Sequence, residues 1–187
     1  TGEIENTIIV YTSDHGDMCG GHRLIDKHYN MYEDICRAPL VIRWDGHINP
    51  GRFESFAHNC LDLPPTLLSL LGIEPPAGCM QGTDISACLL DGRRGDGRAH
   101  VVATYNGQQF GLYCARMIRD ARHKYVWNLT DVDELYDLTA DPHELTNLIY
   151  AADKREVVRE LRLKLHAELK RCSDPIIGWT ARQLLPG

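Results

Sequence analysis

What this sequence lacks narrows the reading first. Basic charge is not in excess: the 187 residues carry a formal net charge of −6, whereas nucleic-acid binding ordinarily needs a basic surface. No apolar run is long enough to span a bilayer. Internal repeats and low-complexity tracts are missing. The chain opens on Thr1-Gly-Glu-Ile, neither an initiator Met nor a signal peptide, so a piece of a longer protein is expected, with a cellular address that is not visible. Paired cysteines are also lacking. The seven cysteines (Cys19, Cys36, Cys60, Cys79, Cys88, Cys114, Cys172) are odd in number and form no close CxxC. That argues against a disulfide framework and against a zinc knuckle. Buried or half-buried free thiols in a reducing or anaerobic setting are expected instead, and none lies in a nucleophile context.

What is present begins with Asn6-Thr-Ile-Ile-Val-Tyr-Thr-Ser-Asp-His-Gly16. Ile8 to Tyr11 reads as a short strand buried on both faces, of the kind found in a parallel sheet. Asp14 and His15 stand where it ends, and Gly16 breaks the backbone. Open α/β sheets bind ligands beyond the carboxyl ends of their strands. A carboxylate and an imidazole there suit a metal corner. Capping of the Gly16 turn is the plain structural use of Asp14, and a hydrogen bond to a ligand residue is that of His15.

Apolar and charged fractions are those of a globular protein, and the length suits one domain or one and a half small ones. After a Gly-rich loop, His22 to Cys36 has Ile25, Tyr29, Tyr32 and Cys36 at helical spacing. Ala38 to Arg43 reads as a second apolar strand. Asp62 is a candidate cap for a helix with Pro64 and Pro65 in its first turn, and Gly72 a left-handed stop. The Gly-rich stretch from Asp91 to Gly97 marks a boundary. Beyond it, Val101–Tyr105, Leu112–Ile118, Lys124–Asn128 and Glu134–Leu138 are strand candidates with no helix between them, hence an antiparallel sheet. Asp153 to Cys172 is an amphipathic helix with a stripe of Val158, Leu161, Leu165 and Leu169, supported by a Glu160–Lys164 pair. The expected division is 1–98, 99–172 and a tail at 173–187, whose Ile176, Ile177 and Trp179 suggest that it packs.

Lys27 follows Asp14 with His22 between them, then Tyr32-Glu-Asp and Arg37-Ala-Pro-Leu-Val-Ile. Later come Asp62-Leu-Pro-Pro-Thr-Leu-Leu-Ser-Leu-Leu-Gly-Ile73 with Gln81-Gly-Thr-Asp84, and Glu134-Leu-Tyr-Asp-Leu-Thr-Ala-Asp-Pro-His-Glu-Leu-Thr-Asn-Leu148. In this order the segments resemble the metal-binding segment, the following helix and the C-terminal signature of the sulfatases, in the alkaline phosphatase superfamily. The resemblance implies an α/β fold: the C-terminal part of an alkaline-phosphatase-like sandwich, followed by a small antiparallel sheet with one packed helix.

It also implies a chemistry. Asp14 and His15 would be part of the ligand set of one divalent cation, usually calcium. His15 stands where other members have Asn, so manganese and zinc stay open. Lys27, and His22 beside it, would contact the sulfate as catalytic and substrate-binding groups, against a solvated lysine and a loop histidine as their ordinary uses. The nucleophile, a formylglycine made within Cys/Ser-x-Pro/Ala-x-Arg, would lie in a missing N-terminal half. No Cys or Ser here opens such a motif, and Cys36-Arg-Ala-Pro lacks the final Arg. The implied substrate is a small-molecule or glycan sulfate ester, with no nucleic-acid or membrane partner. Alternatives are a phosphonate monoester or phosphodiester hydrolase of the same superfamily, or a non-catalytic binding remnant. Two ligands are too few for tight metal binding by this piece alone, and its exposed sheet edge favours self-association. Trp127, Tyr105 and Gln108 are of types suited to a sugar site. His28, His47, His58, His100, His123, His143 and His166 read as surface or satisfied histidines, and Asn128-Leu-Thr130 as a chance glycosylation match.

Overall fold

The computed structural model describes residues 2–27, 29–92, 97–107 and 113–185. His28, Gln108 and Leu112 lie outside the described residues. The chain forms two compact units, Thr1–Gly16 with Arg37–Val101, and Asp17–Cys36 with Val102–Gly187. The stretch 17–36 thus belongs with the C-terminal sheet rather than with the flanking N-terminal block.

In the first unit, β1 (Ile9–Thr12) pairs antiparallel with β2 (Leu40–Arg43), in register from Ile9 opposite Arg43 to Thr12 opposite Leu40. The expectation of a parallel strand buried on both faces does not hold here. Ile9, Tyr11 and Val41 are exposed, and an apolar run by itself does not specify its partner's direction. Helix α2 (Asn59–Leu70) begins earlier than the prolines suggest, with His58 at its N-cap. Asp62 is therefore not the cap residue. It reaches back from inside the first turn and accepts the His58 amide at 2.7 Å, satisfying a donor at the helix start.

Pro64 and Pro65 then fall in the second turn. Having no amide, Pro65 leaves the Leu61 carbonyl without its helical donor. Gly82 packs against that carbonyl so closely that a Cβ there would stand 1.7 Å from the Leu61 oxygen. The Thr83 amide bonds Asp62 Oδ1 at 2.7 Å and the Ile85 amide bonds Thr66 Oγ1 at 3.1 Å. These bonds fasten the Gln81-Gly-Thr-Asp84 stretch and the short helix α3 (Ser86–Leu90) onto α2. At the other end Gly72 has φ +69°. The Ile73 amide bonds Leu68 O at 2.8 Å and the Gly72 amide bonds Ser69 O at 3.0 Å, the paired bonds of a Schellman stop.

In the second unit, among the described residues, the expected helix over 22–36 is absent apart from its last turn, α1 (Glu33–Cys36). Cys19, His22 and Arg23 all have positive φ, which no helix accommodates, and Ile25 is 85 % exposed rather than on a buried stripe. The sheet is as expected: β3 (His100–Asn106), β4 (Cys114–Asp120), β5 (His123–Asn128) and β6 (Glu134–Asp137) lie in chain order, with β4–β5 and β5–β6 antiparallel. Helix α4 (Arg155–Arg171) buries Val158, Leu161, Leu165 and Leu169. Glu156 pairs with Arg159 and Glu168 with Arg171 along the helix, and Arg162 reaches Asp133 at 2.7 Å.

Alternation along β5 gives the sheet two covered faces. Tyr125 and Trp127 pack with Ile118, Leu135 and the α4 stripe, joined by Leu184 of α5 (Ile177–Leu184). Val126 packs on the other face with Ala115, Met117 and Met31 of the 17–36 stretch. A buried Arg116–Asp174 pair, 2.9 Å from Nε to Oδ2, ties the turn after α4 to β4.

The stretch from Glu134 to Leu148 is a local folding motif. Asp137 takes the Arg122 guanidinium and the Thr139 and Ala140 amides. Asp141 takes the Thr146 amide, and Asn147 Oδ1 takes those of Leu135 and Ile149. Each carboxylate or amide replaces backbone bonds that the tight chain reversals cannot make.

Candidate active site

Asp14 and His15 leave β1 together in the first unit. The His15 amide donates to Asp14 Oδ1 at 3.0 Å, and His15 Nε2 lies 3.4 Å from Asp14 Oδ2. On the far side of the ring, Nδ1 stands 2.7 Å from the Gly16 carbonyl oxygen. A carbonyl only accepts, so Nδ1 carries a proton, and the neutral tautomer compatible with this bond is the one whose lone pair is at Nε2. This backbone anchoring of the opposite nitrogen is the usual support of a metal-binding histidine. The Asp14 side chain is 81 % exposed and that of His15 32 %. A carboxylate oxygen and a lone-pair nitrogen on one side of the turn fit a divalent cation. Among the described residues no group of three or more His, Cys, Asp or Glu side chains is placed to hold one.

Asn59, the first residue of α2, also holds this corner. Its Nδ2 donates to the Ser13 carbonyl at 2.5 Å and to the Asp14 carbonyl at 3.3 Å, fixing the corner to the helix start. No sequence signal short of the fold would mark it.

His22 and Lys27 lie in the second unit, on a loop closed by its own backbone. The Cys19 amide bonds Ile25 O at 3.2 Å and the Gly20 amide bonds Leu24 O at 2.8 Å. The Lys27 amide donates to Asp17 Oδ1 at 3.0 Å and to Asp26 Oδ1 at 2.8 Å, and its side chain is on the exposed surface. His22 is half-buried, stacked on Tyr32 with ring centres 3.7 Å apart and planes 11° from parallel. Its Nε2 lies 2.9 Å from the His143 carbonyl and therefore carries a proton, leaving Nδ1 as the acceptor of a neutral ring.

Other expectations change. Trp127 cannot line a sugar site from the surface: it is 1 % exposed and its indole donates to Gln183 Oε1. Tyr105 is half-buried beside the Met31 cluster. Asn128 is buried, with its side chain bonded to Tyr113, Val132 and Glu134, so the glycosylation match is a core amide. All seven cysteines are free, but Cys19, Cys60, Cys79 and Cys172 are exposed rather than buried, and they give no ground for a reducing setting. Among the described residues no helix is long and apolar enough to cross a membrane.

This architecture is that of sulfatase C-terminal regions. A solved 2-O GAG sulfatase superposes with a TM-score of 0.85 at 28 % identity, covering 100 % of this chain and 40 % of that one. The phosphonate monoester hydrolase of Agrobacterium radiobacter superposes with a TM-score of 0.75 at 30 % identity, covering 89 % of this chain and 36 % of that one. An N-acetylglucosamine-6-O-sulfatase of Bacteroides thetaiotaomicron is 32 % identical over 179 residues, 92 % of this chain and 32 % of the relative. Residues 20–171 match the family described as N-sulphoglucosamine sulphohydrolase, C-terminal. The chain belongs to this sulfatase family of the alkaline phosphatase superfamily. It spans about a third of the length of the curated relative.

Proposed function

We propose that this chain is the C-terminal part of a metal-dependent sulfatase acting on sulfate esters of sugars. The observation that carries the proposal is the Asp14–His15 pair at the end of β1, its ring tautomer set by the Gly16 carbonyl. Asp14 Oδ2 and His15 Nε2 would supply part of the cation's shell, and calcium is the first expectation, with manganese and zinc as the other candidates. The remaining ligands and a formylglycine would come from sequence outside this chain, since two donors leave most of a shell of six or more unfilled. When bound, the cation acts as a Lewis acid and orients the nucleophile.

Sulfuryl transfer moves a group whose oxygens carry negative charge, so placed cations do most of the work. Lys27 is a compact ammonium able to meet a sulfate oxygen or the bridging ester oxygen. His22 already donates its Nε2–H to the His143 carbonyl. It can therefore donate to an anionic oxygen only from a protonated Nδ1, as an imidazolium. Lys27 is accordingly the principal sulfate contact and His22 the secondary one. The sugar-sulfatase relatives support a glycan sulfate as the substrate class.

The likeness to a phosphonate monoester hydrolase favours one second reading, a phosphonate or phosphodiester hydrolase with the same corner. The whole enzyme assayed on matched sulfate, phosphate and phosphonate esters separates the two. Sulfate release from amino-sugar sulfates is the expected result. Turnover of phosphonate esters without sulfate release overturns it in favour of the second reading, and turnover of none would mark a non-catalytic remnant.

A further inference from the structure

The second unit contains a buried charge cluster that the substrate contacts do not use. The Lys124 side chain on β5 has no solvent exposure. Its ammonium donates to Met31 O at 2.8 Å and lies 2.8 Å from Glu33 Oε1 and 2.7 Å from Glu144 Oε1. Glu144 Oε2 accepts the Glu33 amide at 2.6 Å, and Arg119 Nε approaches Glu33 Oε1 at 3.3 Å. A buried ion cluster is a poor way to gain stability, since an apolar side chain of similar volume often serves as well or better. Met117 and Val126 already supply apolar packing on this face.

What the cluster does hold is two points of the chain 111 residues apart. The residue preceding each carboxylate touches His22. Tyr32, before Glu33, stacks on the imidazole. His143, before Glu144, takes its Nε2 hydrogen bond. His22 and Glu144 also share left-handed backbone, φ +50° and +56°. Non-glycine residues keep that conformation only where their surroundings over-determine it.

We infer that Lys124 is a positioning residue for the substrate loop. By bridging Glu33 and Glu144 it sets Tyr32 and His143 around His22, and so fixes the loop from Asp17 to Lys27. Its kinetic consequence rests on the reading of His22 and Lys27 as substrate contacts; its mechanical consequence does not.

The test is hydrogen–deuterium exchange of the whole enzyme, with peptides covering 17–27 and α4, alongside kcat and KM on a sulfate ester. Lys124→Met should speed exchange in 17–27 on the order of 100-fold while α4 is unchanged. Glu144→Gln, which keeps an acceptor and removes the charge, should speed it by about tenfold, and carries the test alone if Lys124→Met does not fold. Unchanged exchange in 17–27, or equal acceleration in α4, overturns the inference. Local acceleration with a matching fall in kcat/KM supports it in full. Local acceleration with unaltered turnover leaves the positioning role standing and removes His22 and Lys27 from the substrate site.

Discussion

Asp62→Asn is the most informative single change in the first unit. The Asp62 side chain is fully buried and accepts four hydrogen bonds, two on each oxygen. Oδ1 takes Arg98 Nη2 at 2.6 Å and the Thr83 amide at 2.7 Å, and Oδ2 takes Arg98 Nε and the His58 amide, both at 2.7 Å. An asparagine has one accepting oxygen. Whichever way it turns, its NH₂ faces two donors, so two of the four bonds become donor against donor. Each hydrogen bond to a charged group contributes about 1.5–3 kcal/mol, giving a loss of about 3–6 kcal/mol. Arg98 is partly exposed and can turn toward water, which favours the lower half of that range. Chemical denaturation of wild type and variant, compared at equal m-value, measures it. In a chain of this size the same loss lowers Tm by about 10 °C. A loss below about 1 kcal/mol would refute the reading that this carboxylate joins α2 to Thr83 and Arg98.

Gly82→Ala places a methyl 1.7 Å from a backbone oxygen that cannot rotate away; thermal unfolding should show a loss of about 3 kcal/mol or more, and a wild-type Tm would contradict the packing. Leu165→Ala, at a position with no exposure between α4 and β5, should cost about 2–5 kcal/mol in denaturant; a cost under 1 would mean that the stripe is not core. Acid titration should show stability that is level at neutral pH and falls below about pH 4. Arg122 and backbone amides hold Asp137 well below the ordinary carboxylate range. Burial raises Asp62 and Glu33, but Arg98 and amides at the first, and Lys124 and Arg119 at the second, outweigh it and leave both lowered. Such groups add stability above their unfolded pKa and lose it as pH falls through the folded value. Glu144, raised by burial more than Lys124 lowers it, works in the opposite sense, being least well accommodated once ionised. Stability that rises on acidification through pH 4 would contradict the balance.

Much of this fold was legible in the sequence because its signals are local. The α4 stripe, the Gly72 stop and the four strands rest on periodicity and backbone freedom, and each appears where the pattern placed it. Reading failed where long-range pairing decided the outcome. The direction of β1 relative to β2 is not written in an apolar run. The helical spacing of Ile25, Tyr29 and Tyr32 yields to a stretch with left-handed residues at Cys19, His22 and Arg23, next to carboxylates paired at long range with Lys124. Residue type cannot tell a core indole from a surface one, and Trp127 belongs to the core. The Asp14–His15 corner could be read from its place after a strand, whereas Asn59 enters only through the fold.

The central claim is that this chain supplies the sulfate contact of a sulfatase, and Lys27 tests it most directly. The measurement is kcat/KM of the whole enzyme on an amino-sugar sulfate, wild type against Lys27→Ala, with exchange in α4 as the check on folding. Loss of a preorganised group that stabilises developing charge predicts a fall of roughly 100- to 1,000-fold. A variant within about twofold of wild type would place the sulfate elsewhere and contradict the account.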